Sequence, residues 1–346
     1  MAGNIRLNAP SGGSVTINAV DTASNFTMSV PAAAGVLINA DSATGAAQIP
    51  VGTTAQRPAS PVIGQTRFNT TLGYTEVYNG TTWVSAGNSY QIEALVIAGG
   101  GASGNNGGAG GGAGGYLSSV TGEMSGGGTS ALNKDAVTVG NSYSVIVGAG
   151  GSGGGAGLPA TNGNNSSFFL YTAIGGGGGG YGGSGASNGA SGGSGGGGSA
   201  YGVETPRSGG SGTAGQGFSA GGAATGGAAY FAGSGGGGAG GATVTTSGQT
   251  VGGLGVSSSI SGTAVTRASG GSAYLQGSAT VGGGGATGVA GTANTGGGAG
   301  GGGTNGGSGV VIIRYLGTVA RATGGTITIV GNYVIHTFTT SGTFTA

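Results

Sequence analysis

The sequence predicts an all-β protein in which packed polyglycine II-type helices replace much of an ordinary core, with essentially no α-helix. Three observations predict it. Glycine supplies 96 of the 346 residues, and 81 of these fall between Gly99 and Gly309, often in consecutive runs. Around and between the runs, apolar residues alternate with polar ones at the two-residue period of a strand, and no segment shows a capped helical period. Charged residues make up only 4% of the chain, against about 25% in a typical soluble domain. Such a chain is held together by backbone hydrogen bonds, by repetition or by partner subunits.

The same composition excludes several classes of function. A formal net charge of +1 provides no basic field for nucleic acid. The longest aliphatic clusters, Ala94–Ala98 (ALVIA) and Val310–Ile313 (VVII), fall far short of the ~20 residues of a membrane span, so no membrane insertion is expected. No secretory signal is visible at the N-terminus, so release by lysis or as part of a particle is expected. The absence of cysteine removes disulfides, thiol catalysis and cysteine metal sites.

Taken in order, residues 1–48 hold short strand candidates: NIRLN with Ile5 and Leu7, SVTIN with Val15 and Ile17, and NFTMSV with Phe26, Met28 and Val30. Each is too sparsely apolar to bury a core alone, which favours intertwining with copies of itself, as in a homotrimer. Residues 49–88 read as a small β-meander. A proline-punctuated lead is followed by QTRFNT, by YTEVYNG with an Asn79–Gly80 turn, and by TTWVSAG. Its expected core is Phe68, Tyr74, Val77, Tyr78 and Trp83, with Trp83 read as an apolar anchor in preference to a ligand contact.

The stretch GTTAQRPASPVIGQTRFNTTLGYTEVYNGTTWVSAG resembles a short module of tailed-bacteriophage fibres and other virion proteins. Its TTAQRP lead, RFNT strand and YNG-x-x-W close carry the likeness. Upstream, GSVTINAVDTASNFTMSVPAAAGVL is similar to the strand and PAAAG segment that often precedes that module. The resemblance implies an N-terminal region that attaches to other virion proteins, of the baseplate, tail or capsid.

Residues 89–317 form the glycine-rich domain. Apolar strands in YQIEALVIAGGG, NSYSVIVGAGG, NNSSFFLYTAIGGGGGG and GGSGVVIIRYLG each adjoin a glycine tract. A linker has no reason to carry these strands, or Tyr116, Phe168, Phe169 and Tyr171 among them. Collagen is excluded because no strict Gly-x-y period holds. Three readings remain: packed polyglycine II helices, glycine loops decorating a β-sandwich, and disorder. In the first, a helix of three residues per turn keeps every N–H and bonds sideways to its neighbours. Glycine is then needed where helices touch, and Ala and Ser are expected at outer positions. Residues 318–346 return to strands, TITIV and YVIHTFT around a Gly331–Asn332 turn, then GTFTA. The run from EALVIAGGG to GSGVVIIRY resembles the glycine-rich domain at the ends of phage tail fibres and adhesins. In that family, loops at the distal tip of the glycine sandwich carry host recognition.

Motifs for chemistry are scarce. G-x-G-x-x-G occurs trivially in any glycine tract and lacks the helix and acidic residue of a dinucleotide site. The seven acids Asp21, Asp41, Glu76, Glu93, Glu123, Asp135 and Glu204 form no recognisable pair or ligand set, so neither an enzyme, a metal nor a cofactor is expected. Lys134 beside Asp135 reads as a solvated turn, and the lone His336 as a structural or surface histidine. The receptor-binding candidates are Tyr181, Tyr201, Glu204, Arg207, Phe218, Tyr230, Phe231 and Tyr274, where aromatic or charged residues interrupt the glycine. Exposed rings stack on sugar faces, and nearby Ser and Asn supply hydrogen bonds. The competing reading makes these rings plugs at the sandwich edge.

The expected function is therefore a homotrimeric phage tail fibre protein of the virion, binding a host cell-surface glycan or outer-membrane protein. The alternatives are a purely structural virion part, such as a head fibre or capsid decoration, and a cellular surface adhesin or filament.

Overall fold

A computed structural model describes residues 4–8, 14–18, 49–87, 89–155, 158, 160–183, 185–199, 207–223, 233–246, 249–274 and 277–346. The chain divides into two compact units, Met1–Val51 and Gly52–Ala346. In the first, β1 (Asn4–Asn8) and β2 (Ser14–Asn18) form an antiparallel hairpin with Ile5 opposite Ile17. The strand expected at NFTMSV lies outside the described residues.

The second unit begins at Gly52, the last residue of β3 (Val51–Gly52), whose carbonyl accepts from Thr70 N–H. The meander follows as β4 (Thr66–Asn69), β5 (Tyr74–Tyr78) and β6 (Trp83–Ser85). At the Asn79–Gly80 turn, Asn79 Oδ1 accepts from Thr81 and Thr82 N–H, and Gly80 takes a φ of 99°. The expected apolar core is overturned. Phe68, Tyr74, Val77, Tyr78 and Trp83 are only half-buried, whereas Arg67, Asn69, Glu76 and Ser85 are buried. Strand alternation places Arg67 and Asn69 on the inner face, with Glu76 directly opposite Arg67.

The body of the unit is two sheets and a glycine bundle. In chain order its strands are β7 (Ser89–Ile97), β8 (Tyr116–Ser118), β9 (Asp135–Thr138), β10 (Ser142–Ile146), β11 (Ser166–Phe168) and β12 (Tyr171–Ala173), then the hairpins β13 (Val244–Thr246) with β14 (Gln249–Val251) and β15 (Val256–Ser258) with β16 (Val265–Arg267), and finally β17 (Val310–Leu316), β18 (Thr326–Val330), β19 (Tyr333–Phe338) and β20 (Gly342–Thr345). The main sheet runs β18-β19-β17-β7-β8, with β9 also paired to β7. A second sheet runs β12-β11-β10-β20. The C-terminal strands therefore fold back onto both sheets.

Residues 94–97 of β7 and 310–313 of β17 are continuously apolar because both faces of their sheet are covered. Ala94, Val96, Val311 and Ile313 pack with Val145, Phe168, Phe338 and Phe344. Leu95, Ile97, Val310 and Ile312 pack with Tyr116, Ile260, Ala113 and Ala239.

The glycine segments are ordered helices. From Gly99 to Gly104, successive N–H groups donate to Asn164, Gly307, Gly112, Thr161, Thr304 and Ala109 carbonyls. Residues 99 and 102 thus face one neighbour, 100 and 103 a second, and 101 and 104 a third. That is the three-residue turn of polyglycine II. Segment 109–115 is central. It donates to segments 174–180, 234–237 and 296–299, and it accepts from 98–104, 194–197 and Gly271, which makes six neighbours. The expectation of Ala and Ser at outer positions is also overturned: Ala102, Ala109, Ala113, Ala299 and Ser194 are fully buried. Their side chains occupy interior space that the glycines beside them leave open.

Candidate functional site

Segment 98–104 leaves the sheet at the end of β7, turns at residues 105–108, and returns as 109–115 to β8. The turn uses left-handed backbone at Asn106 (φ 54°) and Gly107 (φ 73°). This gives the bundle a loop end, remote from the sheet, and a sheet end. Register then places each candidate.

Tyr181 follows Gly180, whose carbonyl accepts from Ala109 N–H, so it stands at the loop end. Its N–H donates to Ser187 Oγ at 3.0 Å, its carbonyl accepts from Ser187 N–H at 3.0 Å, and the next residue, Gly182, donates to Asn105 O at 3.1 Å. Arg207 belongs to the same end: its N–H donates to Ser199 O, and Ser199 N–H reaches Ser187 O. Tyr274 follows Ser272, whose carbonyl accepts from Gly301 N–H, while Gly302 and Gly303 both donate to Gly104 O. Tyr181, Arg207 and Tyr274 are half-buried.

Phe218 does not join them. Its N–H donates to Gly238 O and its carbonyl accepts from Gly195 N–H. Gln216, two residues earlier, accepts from Tyr116 N–H at the start of β8, which places Phe218 at the sheet end. Tyr201, Glu204, Tyr230 and Phe231 lie outside the described residues.

Sequence reasoning missed two buried charge clusters. Glu76 accepts from Arg57 Nη2 at 2.6 Å and Asn69 Nδ2 at 3.0 Å, and it lies 3.4 Å from Arg67 Nε. Glu93 pairs with Arg314 Nε at 2.7 Å and Lys134 Nζ at 3.0 Å, and it accepts from Thr121 N–H at 3.2 Å. Lys134, exposed in the irregular segment before β9, is thus also an ion-pair partner. Burial pushes the Glu93 carboxyl upward, but the bonds from Lys134, Arg314 and Thr121 outweigh it and hold the group below its ordinary value. A signal was present in the sequence. Each apolar run carries one charge of opposite sign, Glu93 in QIEALVI and Arg314 in VVIIRYL, and these are cross-strand partners.

His336 is fully buried, as a structural histidine. Nδ1 lies 2.7 Å from Gly324 O, which only accepts, so Nδ1 carries the proton and Nε2 faces Tyr315 Oη at 3.3 Å. Burial holds the ring below its ordinary pKa, although the Gly324 bond acts in the opposite direction. The loop end thus carries Tyr181 and Tyr274 close to the 105–108 turn. A family model described as a glycine-rich domain matches residues 75–316. No curated protein and no solved structure matches the chain.

Proposed function

The chain belongs to the glycine-rich domain family, and on that premise we propose that it is a bacteriophage virion fibre protein. In this reading it assembles as a homotrimer and is held to baseplate, tail or capsid proteins through its N-terminal region. Its glycine-rich domain meets a glycan or outer-membrane protein on the host surface. One observation carries the binding part. A six-neighbour helix bundle holds a loop end where Tyr181 stands next to the Asn105–Asn106 turn, with Tyr274 and Arg207 on segments at the same end. Such a support holds Tyr181, Arg207 and Tyr274 in place before a receptor arrives, which lowers the ordering cost of binding. Individually weak contacts gain avidity when three chains, and several fibres, engage one surface. The virion part rests on the likeness of residues 49–87 to fibre modules.

Purified protein is expected to adsorb to host cells and to block infection. Tyr181→Ala with Tyr274→Ala should cut adsorption by about tenfold, a loss of ~1.4 kcal/mol, without moving the thermal midpoint. A protein that binds neither cells nor envelope glycans is instead a structural virion part, such as a head fibre or capsid decoration. Imaging of particles, with the N-terminal region located, distinguishes tail from head and both from a cellular adhesin.

A further inference from the structure

At the end of the main sheet away from the glycine bundle, where β7 begins and β17 ends, two clefts adjoin. The smaller, about 190 Å³, is walled by Glu93, Lys134, Arg314, Arg321 and Tyr333. The larger, about 610 Å³, shares Gln91 and Lys134 with it and adds Thr121, Ser130, Asn133 and one carboxylate, Glu123, which is engaged by Ser259. Three cations and one carboxylate line the smaller cleft: Glu93, Lys134 and Arg314 from one face of the sheet, and Arg321 from the face of Tyr90 and Tyr315. Lys134 and Arg314 are both engaged by Glu93. Arg321 has no carboxylate partner among the described residues, and its side chain is exposed.

Arg321 is nevertheless held in place. Its guanidinium lies 4.0 Å from the ring centre of Tyr90 and 4.9 Å from that of Tyr315, and Nη2 donates to Leu316 O at 3.2 Å. Those two rings meet edge to face at 5.0 Å, so the support itself is packed. An arginine stacked and tied in this way has surrendered much of its rotamer freedom before a ligand arrives. Its remaining N–H groups form a planar fork that matches an oxyanion. Around the shared wall, Gln91, Thr121, Ser130 and Asn133 offer the donors and acceptors that sugar hydroxyls require.

We propose that these clefts bind an acidic glycan, with its carboxylate or phosphate seated on Arg321 and an adjoining sugar in the larger cleft. The site lies at the opposite end of the unit from the loop-end candidates and stands whether or not the fibre reading holds.

The test titrates the full chain, at low ionic strength, with glucuronate, glucose 6-phosphate and glucose, followed by calorimetry. At least one acidic sugar should bind about tenfold more tightly than glucose, and the tighter of the two names the acidic group. Arg321→Gln should abolish that preference. Added sodium chloride should weaken the acidic ligand and leave glucose unchanged, a reading that does not depend on how the variant folds. Equal affinity for all three sugars, a preference that survives Arg321→Gln in a protein of unchanged thermal midpoint, or binding indifferent to salt would overturn the proposal.

Discussion

Glu76 shows how few charges this chain needs and how deeply it uses them. Its side chain is wholly shielded from solvent, with Arg57, Arg67 and Asn69 around it. Arg67 in turn donates to the carbonyls of Gln56 and Thr53, so one cluster ties the proline-rich lead to β4 and β5. Burial pushes the Glu76 carboxyl up, but the Arg57 and Asn69 bonds and the two guanidinium charges outweigh it and hold the pKa below its ordinary value. The sign follows by linkage. A depressed folded pKa contributes stability that is present above the unfolded value, about 4.3, and is lost as pH falls through the lower folded one. Fluorescence of Trp83, the sole tryptophan, should therefore report loss of the meander on acidification below the ordinary carboxylate range. Glu76→Gln should flatten that acid limb and destabilise the meander by ~3 kcal/mol at neutral pH, because buried Arg67 and half-buried Arg57 lose their counter-charge. An acid profile unchanged in the variant would assign the transition to another group.

At the scale of the element, segment 174–180 explains why glycine is obligatory. Gly176 and Gly179 donate to 98–104, and Gly177 and Gly180 donate to 194–197. The third direction has no helix, and the amide side chains of Asn165 and Asn162 accept from Gly175 and Gly178 in its place. Gly175–Gly180 all have ordinary negative-side backbone, so φ is not the constraint. Space is. A Cβ on Gly177 would fall against the Ala190 carbonyl, well inside contact distance, with backbone that has nowhere to shift. Gly177→Ala should destabilise the domain by ~3 kcal/mol or more. Gly155→Ala, where the nearest atom is a Leu158 methyl at 3.7 Å, should stay within ~0.5 kcal/mol. Chemical denaturation of the two variants compares them directly, and equal losses would reject close helix contact as the reason for glycine.

For the whole molecule, the bundle and the sheets share one stabilising logic. Segment 109–115 spans the bundle with all seven of its N–H groups bonded to other segments, so its amides open only when several neighbours separate. Hydrogen exchange should find 110–114 among the slowest amides of the chain, alongside β7 and β17, and slower than those of the edge strand β18. Rapid exchange at 110–114 would mean that the bundle opens independently of the sheet. The strands β7, β10, β11 and β17 to β20, the Asn79–Gly80 and Gly331 turns and the meander's three strands were legible because period-two alternation and turn residues are local, whereas β8, β9 and the hairpins β13 to β16 were not. The polar interior of the meander was not, since Phe68 and Trp83 outweigh Arg67 in any apolar count and only the pairing register shows which face is buried. The candidate surface was half legible. Aromatic interruptions were visible, but whether Tyr181 and Tyr274 share an end, and Phe218 the other, depends on bonds between segments up to two hundred residues apart. By itself the sequence determined that this chain is all-β and that its glycines lack collagen's period, because composition and alternation restrict what each backbone segment can do. The tertiary structure alone decided which six segments surround 109–115, which charges pair, and which rings meet, because polyglycine helices bond only sideways and carry no side-chain code that names their neighbours.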